Sequence, residues 1–489
     1  MLASGAVSLD VFLGAARLAQ MVRSGQVSPV ELVDAYLERV DRLDGRLRAY
    51  ITVTAEAARE AAGRAEAAVR HGAALGPLHG VPFAVKDQFA TRAVRTTGGS
   101  RLLAENVPDE DATVVARLTA AGGILLGKLN LTEFALGGTI HFPFGQPRNP
   151  WNTDHDTGGS SAGSGVAVAA ALCAVSLGED TGGSVRTPAS WCGVAGHRPT
   201  WGLVSRHGCL PLSWSHDAPG PLARTVEDCA LLLGVIAGQD PRDALTTRRP
   251  VPDYRAALTG EVRGLRVGVI RELLDGGETD PEMRDAVRAA VGVLAKLGAE
   301  VAEVSLPLVP RAGAAFMAIC DSEGAGLHLP WLRHRAAEYD EGTRRRLLAA
   351  ALLPAALLQK AQQARALIRQ QVLGALERHD VLVAPTSHRP APAIASFTAP
   401  ITSTREAAAR FFTRRSFTTP AALAGAPALA VPCGFSAAGL PLSLQIIGRP
   451  FADATVLGVG HAYEQATDWH RRRPPLPDRY AAGAVRDDG

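Results

Sequence analysis

The sequence predicts an α/β protein: one α/β/α domain, residues 1–489, with helices on both faces of a mixed, mostly parallel sheet. Two observations predict it. Short apolar runs bounded by turn residues alternate with segments of helical period along the chain. No stretch has the composition of an interdomain linker or an internal repeat. Repeated strand–helix–strand spacing lays strands side by side in parallel and covers the sheet with helices.

The N-terminal half carries the clearest helix signals. Ser28 is a good N-cap, with proline at the first helical position and Glu31 completing a capping box, so a helix is expected to about Leu43. An alanine-rich helix from about Ala55 to His71 ends at Gly72. The other expected elements are strand 81–86, helix 111–121, strand 124–128 and a helix near 164–172.

The C-terminal half repeats this alternation. Its expected elements are strand 265–270, helix 281–297, a long helix before strand 381–385, strands 428–432 and 442–448, and a helix over 452–466. The stretch from about 307 to 377 is rich in helix signals and poor in strand signals. We expect it to form a helical subdomain that covers the substrate at one end of the sheet.

The composition indicates which class of binding partner to expect. The chain is 47% hydrophobic with a net charge of +3, and its basic residues are scattered. This pattern lacks the basic patch of nucleic-acid or membrane-surface binding, so a small-molecule substrate is expected. The six cysteines have no disulfide or metal-site spacing, and no apolar run is long enough to span a bilayer. We expect a cytoplasmic protein with free thiols and neither a metal nor an organic cofactor.

Lysine is rare in this chain. Only four lysines, Lys86, Lys128, Lys296 and Lys360, stand among 51 basic residues. A buried lysine can lose its proton and act as a base, whereas arginine stays charged. Each lysine is therefore a candidate for a role that arginine cannot fill.

Residues 151–190 contain two Gly-Gly-Ser turns, 158–160 and 182–184, separated by a small-residue apolar segment. Glycines before a serine allow unusual backbone angles and expose N–H groups that can bind an oxyanion. Each turn alone is most simply an ordinary Gly/Ser loop. The two together point to a catalytic site.

This segment resembles the amidase signature. The matching positions are Gly158, Gly159, Ser160, Ser161, Gly163, Ser176, Gly178, Asp180, Gly182, Ser184, Val185, Arg186 and Pro188. Ala162 stands where the family usually has Gly or Ser. The resemblance continues through 76–87, 127–137, 217–228 and 439–451, and so covers essentially the whole chain.

The resemblance implies a catalytic triad. Ser184 is the expected nucleophile, Ser160 the bridging serine on a cis peptide after Gly159, and Lys86 the general base. The expected oxyanion hole is formed by the backbone N–H groups of Thr181, Gly182, Gly183 and Ser184. Physical chemistry agrees, because a serine hydroxyl needs a neighbouring base and no histidine recurs near the two turns in an obvious arrangement. Burial can keep the lysine neutral, and Ser160 can pass protons between Lys86 and Ser184.

Several neighbouring residues have supporting or structural interpretations. Asp180 and Arg186 are expected to clamp the nucleophile turn by an ion pair, and Ser161 to support its own turn by hydrogen bonds. Ser161 also fits G-x-S-x-G, but no apolar strand precedes it as that motif requires. Lys128 is expected to order a loop, and Cys192 to be a core thiol.

Two further patterns bear on ligands. Residues 122–128 approach a phosphate-binding loop, yet Leu129 replaces its hydroxyl residue and 124–126 have a strand pattern, so ATP binding is not implied. Aromatic and histidine residues in nearby loops are candidates for lining a substrate pocket. They are His141, Phe142, Phe144, Trp191 and Trp214.

The predicted activity is hydrolysis of a C–N amide bond, or a related ester, anilide or carbamate, through an acyl-enzyme. The alternative is a glutaminase-type A subunit of a tRNA-dependent amidotransferase, which 128–137, 148–151 and 197–208 resemble closely. A non-catalytic scaffold is disfavoured because all three triad residues are present. The sequence leaves the oligomeric state open, with a homodimer as one option.

Overall fold

The computed structural model describes residues 9–397 and 403–476, and within them eleven strands form one sheet. The strands are β1 (Tyr50–Val53), β2 (Pro82–Lys86), β3 (Ile124–Leu129), β4 (Val175–Glu179), β5 (Ala195–Arg198), β6 (Pro219–Ala223), β7 (Arg266–Ile270), β8 (Glu300–Val304), β9 (Val381–Pro385), β10 (Ala428–Phe435) and β11 (Pro441–Gly448). Their order across the sheet is β1-β3-β2-β4-β6-β5-β10-β11-β9-β7-β8.

Helices pack around this sheet. In the described ranges they are α1 (Ala15–Arg23), α2 (Pro29–Leu47), α3 (Ala55–Arg70), α4 (Thr113–Ala120), α5 (Ala162–Ala169), α6 (Arg186–Cys192), α7 (Val226–Ile236), α8 (Arg271–Leu274), α9 (Pro281–Lys296), α10 (Ala312–His334), α11 (Glu341–Ala351), α12 (Ala355–Arg378), α13 (Thr404–Phe411), α14 (Thr419–Ala424) and α15 (Asp453–Gln465). None of these helices has the length and apolarity needed to cross a bilayer.

The predicted mixed α/β fold is confirmed, but parallel pairing does not predominate. Strand β2 pairs in parallel with β3 and β4, and β7 pairs in parallel with β8 and β9. The six other pairings between these strands are antiparallel. The antiparallel block contains β5 and β6, whose sequences AGHR and PGPLA carry little strand signal because Gly and Pro are depleted in strands. The expectation of a mostly parallel sheet is therefore corrected.

The capping signals at Ser28 act as predicted. The Ser28 hydroxyl accepts a hydrogen bond from the Val30 amide at 3.0 Å, and the Glu31 carboxylate accepts one from the Ser28 amide at 3.2 Å. Helix α2 then continues to Leu47, beyond the expected end near Leu43, and buries an apolar face. Because α2 packs on β2 and β3, it helps to fix the strand that ends in Lys86.

The helix-rich segment after β8 contains three long helices. Helices α10, α11 and α12 follow one another, and α10 packs against both α11 and α12, with α12 also contacting α14. Their apolar faces share a core cluster with the ends of β7 and β9. This arrangement places a helical wall beside the carboxyl ends of β2 and β4.

Candidate active site

Lys86 is the last residue of β2 and is fully buried. Its Nζ lies 2.8 Å from the Ser160 hydroxyl oxygen and 3.4 Å from the carbonyl oxygen of Glu179. Burial lowers the pKa of Lys86 from its ordinary value, and the nearby Glu179 carboxylate partly offsets this effect. The lysine is thus in direct hydrogen-bond contact with the first Gly-Gly-Ser turn.

The first serine turn contacts Lys86, and the second serine turn is hydrogen-bonded to the first. The peptide between Gly159 and Ser160 is cis, and Ser160 is buried immediately before α5. Ser184, in the turn between β4 and α6, is partly exposed, and its carbonyl accepts a hydrogen bond from the Ser161 amide at 3.2 Å. Ser160 and Ser184 both line one cavity of about 1180 Å³. The fold therefore brings all three predicted catalytic residues together.

The backbone amides of the nucleophile turn divide into two groups. The Gly183 amide donates to the Asp180 carboxylate at 2.7 Å, so it has an internal acceptor. Within the described residues, the amides of Thr181, Gly182 and Ser184 have no acceptor. These three amides border the cavity and can serve a substrate oxygen, whereas Gly183 departs from the expectation.

Asp180 is the centre of a buried ionic clamp. Arg186 approaches it with Nε at 3.0 Å and Nη2 at 2.9 Å, as predicted for the Asp180–Arg186 pair. Arg198, from β5, contacts the same carboxylate at 3.2 Å and also donates to the Asp180 carbonyl. Burial alone would raise the pKa of Asp180, but the two guanidinium groups outweigh it and hold that pKa below its usual value. Arg198 lies outside the signature segment, so its place in the clamp is not predictable from that motif.

The clamp reaches across the sheet to the C-terminal region. The Arg186 guanidinium also donates to the Thr418 carbonyl at 2.8 Å and to the Gln445 side chain. The Thr418 hydroxyl donates to the carbonyl of Gly182 at 2.6 Å. A Cβ on Gly182 would lie 2.3 Å from the Phe316 ring, so a larger residue here would require that ring to shift.

We expect Asp180→Ala to lower the free energy of unfolding by about 3–5 kcal/mol, because it leaves two buried guanidinium groups without their carboxylate. Urea denaturation followed by circular dichroism measures this. The matched control is Asp468→Ala, which removes an exposed ion pair with Arg471 and should change stability far less. Equal losses in the two variants would contradict the clamp.

The supporting and structural interpretations agree with the contacts. The Ser161 hydroxyl lies 3.3 Å from both the carbonyl oxygen and the amide nitrogen of Glu179, which ties the first turn to the end of β4. Lys128 is buried, 3.1 Å from the Asp87 carboxylate and 2.8 Å from the Phe89 carbonyl, so it orders that loop. Burial raises the pKa of the Cys192 thiol, as befits a core cysteine.

The cavity has a helical wall and a partly aromatic lining. Helices α10, α11 and α12 all contribute residues to it, including Phe316, Arg346 and Leu357. Of the aromatic candidates, Phe142 and Trp191 line it, whereas Trp214 is exposed and borders a separate small cavity. Neither His141 nor Phe144 is among its lining residues. Within the described ranges, no group of three or more His, Cys, Asp or Glu side chains is arranged to hold a metal.

Comparison with known proteins identifies the family and agrees with the fold. The Amidase family profile matches residues 31–457. The chain is 45% identical to the A subunit of the glutamyl-tRNA(Gln) amidotransferase of Roseiflexus sp. (strain RS-1), over 93% of this chain and 96% of that protein.

Two solved structures share the fold. A bacterial aryl acylamidase of the amidase signature family superposes with a TM-score of 0.85 at 28% identity, covering 95% of this chain and 99% of the other. The A subunit of the Thermotoga maritima glutamyl-tRNA(Gln) amidotransferase does so with a TM-score of 0.80 at 33% identity, covering 94% and 96%. With its two serine turns and buried lysine in place, this chain belongs to the amidase signature family of enzymes, hydrolases that act on C–N amide bonds.

Proposed function

We propose that the protein hydrolyses amides through an acyl-enzyme on Ser184, with Ser160 as proton bridge and Lys86 as base. One observation carries the proposal: the buried Lys86 amine lies 2.8 Å from the Ser160 hydroxyl, which shares a cavity with Ser184. Burial favours the neutral amine, which is the form that can accept a proton. The site therefore combines a nucleophile, a relay and a base.

The proposed acylation step moves one proton along the three side chains. Ser184 Oγ forms a bond to the amide carbon while its proton passes to Ser160, and the Ser160 proton passes to Lys86. The developing oxyanion lies near the free amides of Thr181, Gly182 and Ser184. The Lys86 ammonium then returns a proton through Ser160 to the leaving nitrogen, and the C–N bond breaks.

Deacylation follows the same route with water. A water molecule attacks the acyl carbon, its proton passes through Ser160 to Lys86, and Ser184 Oγ leaves with a returned proton. The carboxylic acid is released and the three side chains regain their starting state. This chemistry consumes one water molecule for each amide bond cleaved.

The cavity has room for a substrate larger than glutamine. Its volume of about 1180 Å³ is above the usual range of roughly 300–1,000 Å³ for ligand pockets. Apolar side chains such as Met317, Leu353 and Leu357 stand among its lining residues. A bulky apolar acyl or amine group fits these walls.

A glutaminase-type A subunit is the second candidate, and the relatives favour it over a stand-alone amidase. The Roseiflexus relative that bears this name aligns along nearly its whole length at 45% identity. On this hypothesis the same serine and lysine would release ammonia from glutamine, and the chain would work in a complex with a tRNA-handling protein.

A substrate panel separates the two candidates. We expect the purified chain alone to release amine from a simple aliphatic amide or anilide with a higher kcat/KM than it shows for glutamine. Chromatography of the released amine or ammonia measures both, with esters and carbamates included to define the leaving group. Glutamine hydrolysis that needs a co-purified partner, with no cleavage of simple amides, would assign the chain to the second candidate.

A further inference from the structure

Two buried carboxyl groups lie near Lys86 and have no part in the proposed acyl transfer. Glu179 ends β4, and Asp217 precedes β6; both side chains are buried. The Thr181 hydroxyl lies between them, 2.9 Å from Glu179 Oε1 and 2.8 Å from Asp217 Oδ1. We name Glu179 and Asp217 the carboxyl pair.

The hydrogen-bond count at Thr181 bears on the charge of the carboxyl pair. The Thr181 hydroxyl has one hydrogen and can donate it to only one of its two carboxyl neighbours. In the other short contact, a protonated carboxyl can donate to the Thr181 oxygen. One proton on the pair satisfies both contacts and leaves one negative charge.

Glu179 is the member of the carboxyl pair that faces Lys86. Its Oε2 lies 3.5 Å from Lys86 Nζ and has no hydrogen-bond partner within the described residues. Burial, and next the charge of Glu179, raise the pKa of Asp217 to about 8, although amides of Leu212 and Ser213 donate to it. At neutral pH, Asp217 is thus the member that keeps the proton.

We propose that Glu179 is a positioning residue whose carboxylate, as the buried counter-ion of Lys86, sets the charge state of the lysine amine, while Asp217 holds the proton of the carboxyl pair. This inference rests on the proposed function, since it takes Lys86 as the base. Glu179 stabilises the ammonium form of Lys86, so it raises the pH at which the neutral amine becomes available. The same charge stabilises the ammonium that forms when Lys86 accepts the proton of the nucleophile.

Other charged and titratable groups nearby cannot replace this counter-ion. The Cys209 thiol near Lys86 is neutral because burial raises its pKa well above the ordinary value. Arg198, from β5, is a cation that interacts with Glu179 but is bonded to Asp180. Glu179 is therefore the acid that faces Lys86 with a carboxylate oxygen that has no hydrogen-bond partner within the described residues.

Asp217 borders a second cavity. This cavity of about 220 Å³ is also lined by Cys209 and Trp214, and it is separate from the cavity containing Ser184. The carboxyl group itself is almost fully buried, with 3% of Asp217 exposed.

The test measures how pH controls the reactivity of Ser184 in wild type, Glu179→Asp, Glu179→Gln and Asp217→Asn. A fluorophosphonate probe is used, in which Ser184 Oγ displaces fluoride from phosphorus and its proton moves towards Lys86. The labelling rate rises with pH as Lys86 becomes neutral. For Glu179→Gln we expect this rise to move about 1–3 pH units lower, because the opposite charge beside the lysine is lost.

Three further results are expected. The maximal labelling rate falls in Glu179→Gln, because the ammonium formed on Lys86 loses its counter-ion. Glu179→Asp moves the rise in the same direction by a smaller amount, since its carboxylate is withdrawn by one methylene. Asp217→Asn leaves the rise in place, because asparagine mimics the protonated carboxyl.

A purely structural role for Glu179 would lower the maximal rate without moving the rise, and that result overturns the proposal. If Glu179→Gln does not fold, Glu179→Asp carries the test, and an unshifted rise in it overturns the proposal equally. The matched control is Glu464→Gln, a buried glutamate on α15 that accepts a hydrogen bond from the Val226 amide. Wild type that is not labelled at Ser184 refutes the proposed function instead.

Discussion

Ser184→Ala is expected to reduce kcat/KM for amide hydrolysis by at least about 10⁴-fold, because removal of a catalytic serine abolishes the covalent route. The substrate cavity and its free amides stay in place, so KM for the same amide should change little. Steady-state kinetics with the best amide of the panel measures both. Mass spectrometry of a fluorophosphonate-treated sample should also show that the variant is not labelled.

The matched control is Ser190→Ala, in the helix that follows the nucleophile turn. Ser190 is buried, and its hydroxyl has no hydrogen-bond partner in the described part of the chain, so its removal should cost little. We expect this variant to keep wild-type turnover. Full amide turnover in Ser184→Ala would exclude the acyl-enzyme.

Lys86→Met and Lys86→Arg are expected to lower kcat for amide hydrolysis by about 10²–10⁴-fold, the usual contribution of a general base. Arginine keeps the positive charge but cannot give a neutral nitrogen at any working pH. In wild type, turnover should rise with pH through the pKa of Lys86, which burial lowers from its ordinary value. Both variants should lack this rise in a kcat profile against pH.

Lys128→Met provides the contrast, because Lys128 is equally buried but bonded to Asp87 in a neighbouring loop. Its loss leaves the buried Asp87 carboxylate without its counter-ion, so the free energy of unfolding should fall by about 3–5 kcal/mol. The pH-dependent rise of kcat should persist in the folded protein. A pH profile lost in Lys128→Met and kept in Lys86→Met would reverse the assignment of the base.

Much of the fold was predictable where a segment carries its own signals. The capping box at Ser28 and the apolar strands β3, β9 and β11 lie close to their expected positions. The short strands β5 and β6 were missed, because their Gly, Pro and charged residues become strand-forming only through pairing with neighbours. The prediction of mostly parallel pairing was incorrect for that reason.

The sequence by itself determined which chemical groups the site contains: two serines in glycine turns, an acid and an arginine beside them, and one of only four lysines in an arginine-rich chain. Local spacing in the sequence can predict the groups in each turn, because residues of one turn lie close together whatever the rest of the fold is.

Only the tertiary structure decided which partners compensate the charges and hydrogen-bonding groups of the site. It showed that Arg198 completes the clamp on Asp180, that the Gly183 amide is occupied, and that Glu179 faces Lys86. Such contacts join strands and loops far apart in sequence, so their partners depend on sheet order. Burial increases the contribution of each contact to stability, because a charge removed from water requires a partner.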